Sequence, residues 1–206
     1  MLVSALITET LYDLRDPDGT NYNKDGAYAE LLAYLNRGVR ALNSVLVGLG
    51  SDLVHATATL TISEDDDYVA ASDNFITDRS LWIDTNQLQR LTVDEIYRKQ
   101  KSISDTGEPS YYTVEGLNFI FERDADADYS LTVHYNSKPT ALVVGSDMPY
   151  NDIFNDALSK SVVVQAKNRN ELGVNVDAAM ENIFQSAATT YVVSRNYAPN
   201  RYRLSF

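Results

Sequence analysis

Asp25 to Gly50 reads DGAYAELLAYLNRGVRALNSVLVGLG. Within it Tyr28, Leu31, Leu32, Leu35, Val39, Leu42 and Leu46 recur at spacings of three, one, three, four, three and four. This apolar stripe, of period near 3.6, predicts a long amphipathic helix over residues 25–47. Asp25 is its expected N-cap, and Gly48 and Gly50 its expected end. Gly38 costs such a helix about 1 kcal/mol relative to Ala, so it points to close contact with another backbone.

Upstream, residues 3–14 predict a short helix with Leu6, Ile7, Leu11 and Leu14 on one face. Asp16-Pro17-Asp18-Gly19 stops it. Downstream, the pattern turns to β. His55 to Ile62 is rich in β-branched residues and partly alternating, and Leu81-Trp82-Ile83 is a short apolar run. Residues 91–97 read as a strand or a short helix. Tyr111–Val114 and Asn118–Phe121 flank Glu115-Gly116-Leu117 as a β-hairpin. Tyr129 to Tyr135 alternates cleanly and is expected as the third strand of a meander. Helical spacing then returns, first from Pro149 through Ile153, Phe154, Ala157, Leu158 and Val162. After an interruption at Asn170–Gly173 it resumes through Val176, Met180, Ile183, Phe184 and Tyr191.

Strands set between runs of helices predict an α+β fold, with the terminal helix pairs forming an α-helical bundle and a β-rich insertion between them. The expected divisions are 1–53 with 146–194 for the bundle, 54–145 for the insertion and 195–206 for a tail.

The 206 residues are 44% hydrophobic and 22% charged, ordinary for a globular protein. Seventeen Lys and Arg against 29 Asp and Glu give a net charge of −12, which argues against wrapping nucleic acid. Like charge is compatible with a channel that DNA slides through. With no cysteine, thiolate metal sites and cysteine nucleophiles are excluded. No apolar run reaches membrane-spanning length. The start, MLVSALITETLYDLRD, lacks the basic opening of a signal peptide, so the chain is expected to stay in the cytoplasm where it is made.

Motifs for chemistry are sparse. His55 and His134, the only histidines, lie far apart in sequence and are read as strand residues facing solvent or an interface. Asp16, Asp18, Thr20 and Tyr22 resemble the start of a calcium loop, but Asn21 and Ala27 stand where that loop needs Gly and Glu. Phosphate-loop and nucleophile-elbow patterns are missing. The chain is therefore read as no enzyme, with no cofactor and no metal. The tail from Arg195 to Phe206 is basic and aromatic on an acidic protein. It reads as a docking arm or as a frayed terminus.

Three segments in order resemble the phage head-tail adaptor family. They are Leu31-Leu32-Ala33-Tyr34-Leu35-Asn36 on the long helix, Pro109-Ser110-Tyr111-Tyr112 leading through the hairpin to Asp128–Tyr135 and Pro139, and Met148-Pro149 opening a helix through Asp156-Ala157-Leu158. The resemblance implies a structural virion protein of the neck, made in the host cytoplasm. It implies a ring of copies, usually twelve-fold, that joins the portal protein to the tail, nozzle or other neck proteins and continues the DNA channel. DNA would pass without specific binding, and no membrane is involved. The portal-docking anchors would be Arg195, Tyr197, Arg201, Tyr202, Arg203, Leu204 and Phe206. Leu31, Leu35, Asn36, Val39 and Arg40 would mark the subunit-packing helix. A rival reading is a tail-associated β-rich receptor- or glycan-binding module, which Trp82 and Tyr111-Tyr112 would suit.

Overall fold

In a computed structural model the chain is described over residues 1–22, 28–150, 152–168 and 175–196, the last three without side chains. It divides into two compact units, one formed by Met1–Leu53 with Pro139–Phe206, the other by Val54–Lys138. The class is α+β, as expected.

The first unit holds α1 (Val3–Asp13) and α2 (Ala29–Gly48). The stripe of α2 is buried at Leu31, Leu35, Val39, Leu42 and Leu46. Tyr28 precedes the helix in a left-handed conformation, and the expected N-cap, Asp25, lies outside the described residues. At the other end Gly50 has φ +65°, its N–H donates to the Val47 carbonyl, and the Ser51 N–H donates to the Leu46 carbonyl. That is a Schellman stop, so the expected glycine end is borne out at Gly50. The same pair of bonds closes α1, but Arg15 holds the left-handed position, at φ 57°. A side chain there costs about 1 kcal/mol that glycine avoids. Arg15→Gly is therefore expected to raise stability by up to about 1 kcal/mol, read as a shift of the urea midpoint with an unchanged slope.

The chain returns to helix later than its pattern predicts. A 3-10 turn at Asp152–Phe154 precedes α4 (Asn155–Lys167), so Pro149 stands ahead of the helix rather than in it. Tyr150 fills the approach instead, buried, with its hydroxyl donating to Asn43 Oδ1 at 2.7 Å. The last helix, α5, spans Val176–Asn196. The interruption read at Asn170–Gly173 lies outside the described residues. Helix α2 packs on α4 and α5, α4 on α5, and α1 on α4.

The second unit is two four-stranded sheets around one core. The strands are β1 (His55–Ile62), β2 (Tyr68–Ala70), β3 (Phe75–Ile83), β4 (Asn86–Gln87), β5 (Gln89–Arg90), β6 (Tyr111–Glu115), β7 (Asn118–Phe121) and β8 (Tyr129–Ser137). One sheet runs β1-β8-β3-β4 and the other β2-β7-β6-β5. The hairpin β6–β7 forms as read, with Glu115 opposite Asn118 and Gly116 at φ +63°. The meander does not form. Strand β8 leaves the hairpin at the Asp124–Asp128 turn and lies between β1 and β3, in the other sheet. Alternation tells which face of a strand is buried, not which neighbour it pairs with.

The stretch 91–97, left between strand and helix, holds the start of α3 (Val93–Ser102). Thr92 accepts from the Glu95 N–H, and Glu95 accepts from the Thr92 N–H and hydroxyl, a capping box. These bonds hold the Glu95 carboxyl below its usual range.

Candidate docking surfaces

The anchors expected in the tail cannot be placed: Arg195 lies in the last turn of α5 without a described side chain, and Tyr197, Arg201, Tyr202, Arg203, Leu204 and Phe206 lie outside the described residues. The residues singled out on α2 are brought together, mostly inward. Leu31, Leu35 and Val39 are buried within the helical unit. Asn36 clamps the segment that follows Pro139. Its Nδ2 donates to the carbonyls of Leu32 and Leu142, and its Oδ1 accepts from the Leu142 N–H at 2.7 Å. Only Arg40 of this set is exposed.

The helical surface is instead shaped by α5. On one side of it a groove of about 460 Å³ runs along α2, over Ala41, Val45 and Met180, with Asp177 and Glu181 beside them. Arg37 reaches Asp177 at 2.6 Å, an exposed pair. On the other side a groove of about 510 Å³ runs along α4, over Ile153, Ala157, Ile183 and Ala187, with Lys160 on its rim. Both are shallow and mix small or aliphatic side chains with polar and charged ones, among them Gln185 in the first and Asp156 and Asn182 in the second. Sequence reading passed over them because it followed the buried stripe. The signal was a second row on α2, where Ala41, Ser44, Val45 and Gly48 carry little bulk outward.

In the β unit the polar groups close on one another. Tyr112 donates to Asp78 at 2.7 Å, and Arg90 pairs with Asp78 at 2.9 Å. Burial, and then the Asp78 bond, push the Tyr112 hydroxyl well above its usual range. The buried Glu122 carboxylate accepts from the N–H groups of Ser110 and Tyr111 at 2.9 and 3.0 Å. Each of these groups is held by a hydrogen bond or ion pair within the unit.

The two histidines do converge. β1 and β8 place His55 and His134 on one face with ring centroids 5.4 Å apart, and Thr57 Oγ1 meets His134 Nδ1 at 3.0 Å. His55 is exposed and His134 half-buried. Among the described residues no third His, Asp or Glu joins them as a metal ligand. Asp16 spends its carboxylate on the Asn21 N–H and side-chain amide.

In this α+β chain Asp78, Tyr112 and Glu122 bond within the β unit, and two shallow grooves flank α5 on the helical unit. A family model described as SU10 adaptor protein matches residues 1–203. The chain belongs to that family, a family of phage head-tail adaptors. It is thus a structural adaptor of a bacteriophage, located in the virion and contacting other capsid or tail proteins. No curated protein matches it. Among the described residues no helix is long and apolar enough to cross a membrane.

Proposed function

We propose that the chain forms a ring in the phage neck, joining the portal to the tail and continuing the DNA channel. The observation that carries this is the family match over residues 1–203 of an α+β chain. In this reading copies pack side by side through their helical units. Leu31, Leu35 and Val39 hold the unit together from within, while Arg40 and the grooves beside α5 meet the neighbour. Such a contact is heterologous: one face of each copy meets a different face of the next, and a ring closes if the rotation allows. The tail, with Arg195, Tyr197, Arg201, Tyr202, Arg203, Leu204 and Phe206, docks on the portal, where Arg and Tyr serve as interface anchors. The net charge of −12 supports passage of DNA without adhesion.

Mass photometry of the chain alone and with the portal of the same phage tests this. The expected result is a monomer alone and a multi-subunit complex with the portal, lost when residues 195–206 are deleted. Failure of the full-length chain to bind the portal would overturn it and favour the β-rich binding module.

A further inference from the structure

We propose that His55 and His134 form a two-imidazole site for a zinc ion on the outer face of the β1–β8 pair. Sequence reading expected no metal, since nothing in the sequence shows that β1 and β8 pair. In their antiparallel register Thr57 stands opposite His134, and Asn136 opposite His55. His55 is therefore the diagonal neighbour of His134, within reach of a long side chain across the ladder. Ala58 and Leu60 on β1, and Leu131 and Val133 on β8, pack into the core. The histidines alternate with them and so stand on the opposite face of the sheet.

The spacing of the rings suits a shared cation. Their centroids lie 5.4 Å apart and their planes are tilted by 47°, so they are not stacked face to face. Zinc binds an imidazole nitrogen at about 2.0–2.1 Å, which sets it about 3.2 Å from the ring centroid. At zinc's tetrahedral angle, two such rings have centroids about 5.2 Å apart. The square arrangement of copper(II) would need about 4.5 Å. The observed distance is close to the tetrahedral one. His55 is exposed, and the second side-chain torsion of histidine is soft, so its ring can turn to close the remaining gap.

The surroundings orient the rings. Thr57 Oγ1 meets His134 Nδ1 at 3.0 Å. Histidines that bind metals hold their second nitrogen in a bond of this kind. With Nδ1–H donating to Thr57, Nε2 of His134 keeps its lone pair for zinc. Asn136, opposite His55, spends its amide on β3: Nδ2 donates to Thr77 Oγ1 at 2.9 Å, and Oδ1 accepts from Arg79 Nε at 2.8 Å. Strand β1 carries no carboxylate, and Arg79 adds a positive charge to this face. The site therefore selects by imidazole lone pairs and not by charge, and calcium and magnesium, which need oxygen ligands, are excluded. Two imidazoles fill two of zinc's four positions. Water takes the others in the free chain, and a donor from another protein can replace it.

Calorimetric titration of the full chain with zinc chloride at neutral pH tests this. Zinc is expected to bind, and magnesium not. Affinity should fall at least about tenfold in His55→Ala and in His134→Ala, no less than loss of an outer partner costs a metal site. His55 is exposed on an edge strand, so its variant keeps the test apart from folding. Nitrogen NMR of the imidazoles gives a second reading: zinc should move Nε2 of His134 and one nitrogen of His55 together, while Nδ1 of His134 stays protonated. Equal zinc affinity in either histidine variant, or a shift of one ring without the other, overturns the proposal. Both measurements use this chain and zinc alone, so neither depends on the portal reading.

Discussion

Phe119→Ala is expected to unfold the β unit near physiological temperature while leaving the helical unit folded. Phe119 is fully buried on β7. Its ring meets Phe75 edge-on with centroids 5.3 Å apart, and Tyr112 at 6.1 Å. Phe75 belongs to β3 and Tyr112 to β6, so this one side chain ties one sheet to the other. Truncating a buried Phe costs about 3–5 kcal/mol in transfer and cavity terms. A small unit holds about 5–15 kcal/mol in all, and this one leaves Ala56, Ala58 and Leu60 of β1 only partly buried. The loss should therefore consume most of its stability. The helical unit has a core of its own, built on Leu35, Leu42, Leu158 and Phe184. Thermal unfolding of the variant should show two steps, with the helical signal surviving the first. A single cooperative loss of all structure would mean that the two units do not fold separately.

The parts of this fold that sequence reading reached are those where local pattern and final environment agree. The stripe from Leu31 to Leu46 has one period and one buried face, so the helix could be read directly. The β6–β7 hairpin is local too, since its turn holds Gly116 between paired strands. What failed was non-local. Strand β8 alternates as a meander strand would, but its neighbours are β1 and β3, a pairing that alternation does not encode. Residues 91–97 were ambiguous by periodicity because only Ile96 is buried on α3. The deciding signal was the Thr92–Glu95 capping box, which lies at the helix start rather than in its apolar pattern. Among the site residues, the α2 set was legible as a unit but not in its direction. Leucines on a stripe announce burial, and whether that burial is within the chain or against a neighbour depends on α4 and α5. The tail was legible by composition alone, and beyond Asn196 its residues lie outside the described structure.

The same distinction bears on how such a protein can be both stable and ready to assemble. Residues conspicuous by hydrophobicity are already spent on the chain's own cores. Under the proposed function the surfaces that meet partners are made of small side chains and scattered charge: Ala41 and Val45 beside α5, and Arg40. These cost little when exposed, so the free chain need not aggregate. They still offer close approach when a neighbour brings complementary shape.

Gly38→Leu is expected to cost the helical unit about 3 kcal/mol or more, the usual upper range for overpacking a tight core. Sequence reading took Gly38 as a sign that another backbone comes close. The structure places a side chain there instead. A Cβ at position 38 would lie 2.6 Å from Ser161 Oγ, with Leu158 Cδ2 and Phe184 Cζ next at 3.6 Å. Helices α2, α4 and α5 thus converge on this glycine, and a larger side chain has no direction in which to turn. Gly38→Ala separates the causes. Alanine gains about 1 kcal/mol of helix propensity, but its methyl must displace a hydroxyl that donates to the Leu158 carbonyl at 2.8 Å, at about 1 kcal/mol. The single variant should therefore be close to neutral. In Ser161→Ala the obstructing oxygen is gone and the next contacts are ordinary, so adding Gly38→Ala to it should recover the full propensity gain. The double-mutant cycle is expected to show a coupling of about 1 kcal/mol, measured by urea unfolding of the four chains. Simple additivity would mean that Ser161 does not set the spacing of α2 and α4. Retention of wild-type stability by Gly38→Leu would mean that the three helices separate more easily than their packing implies.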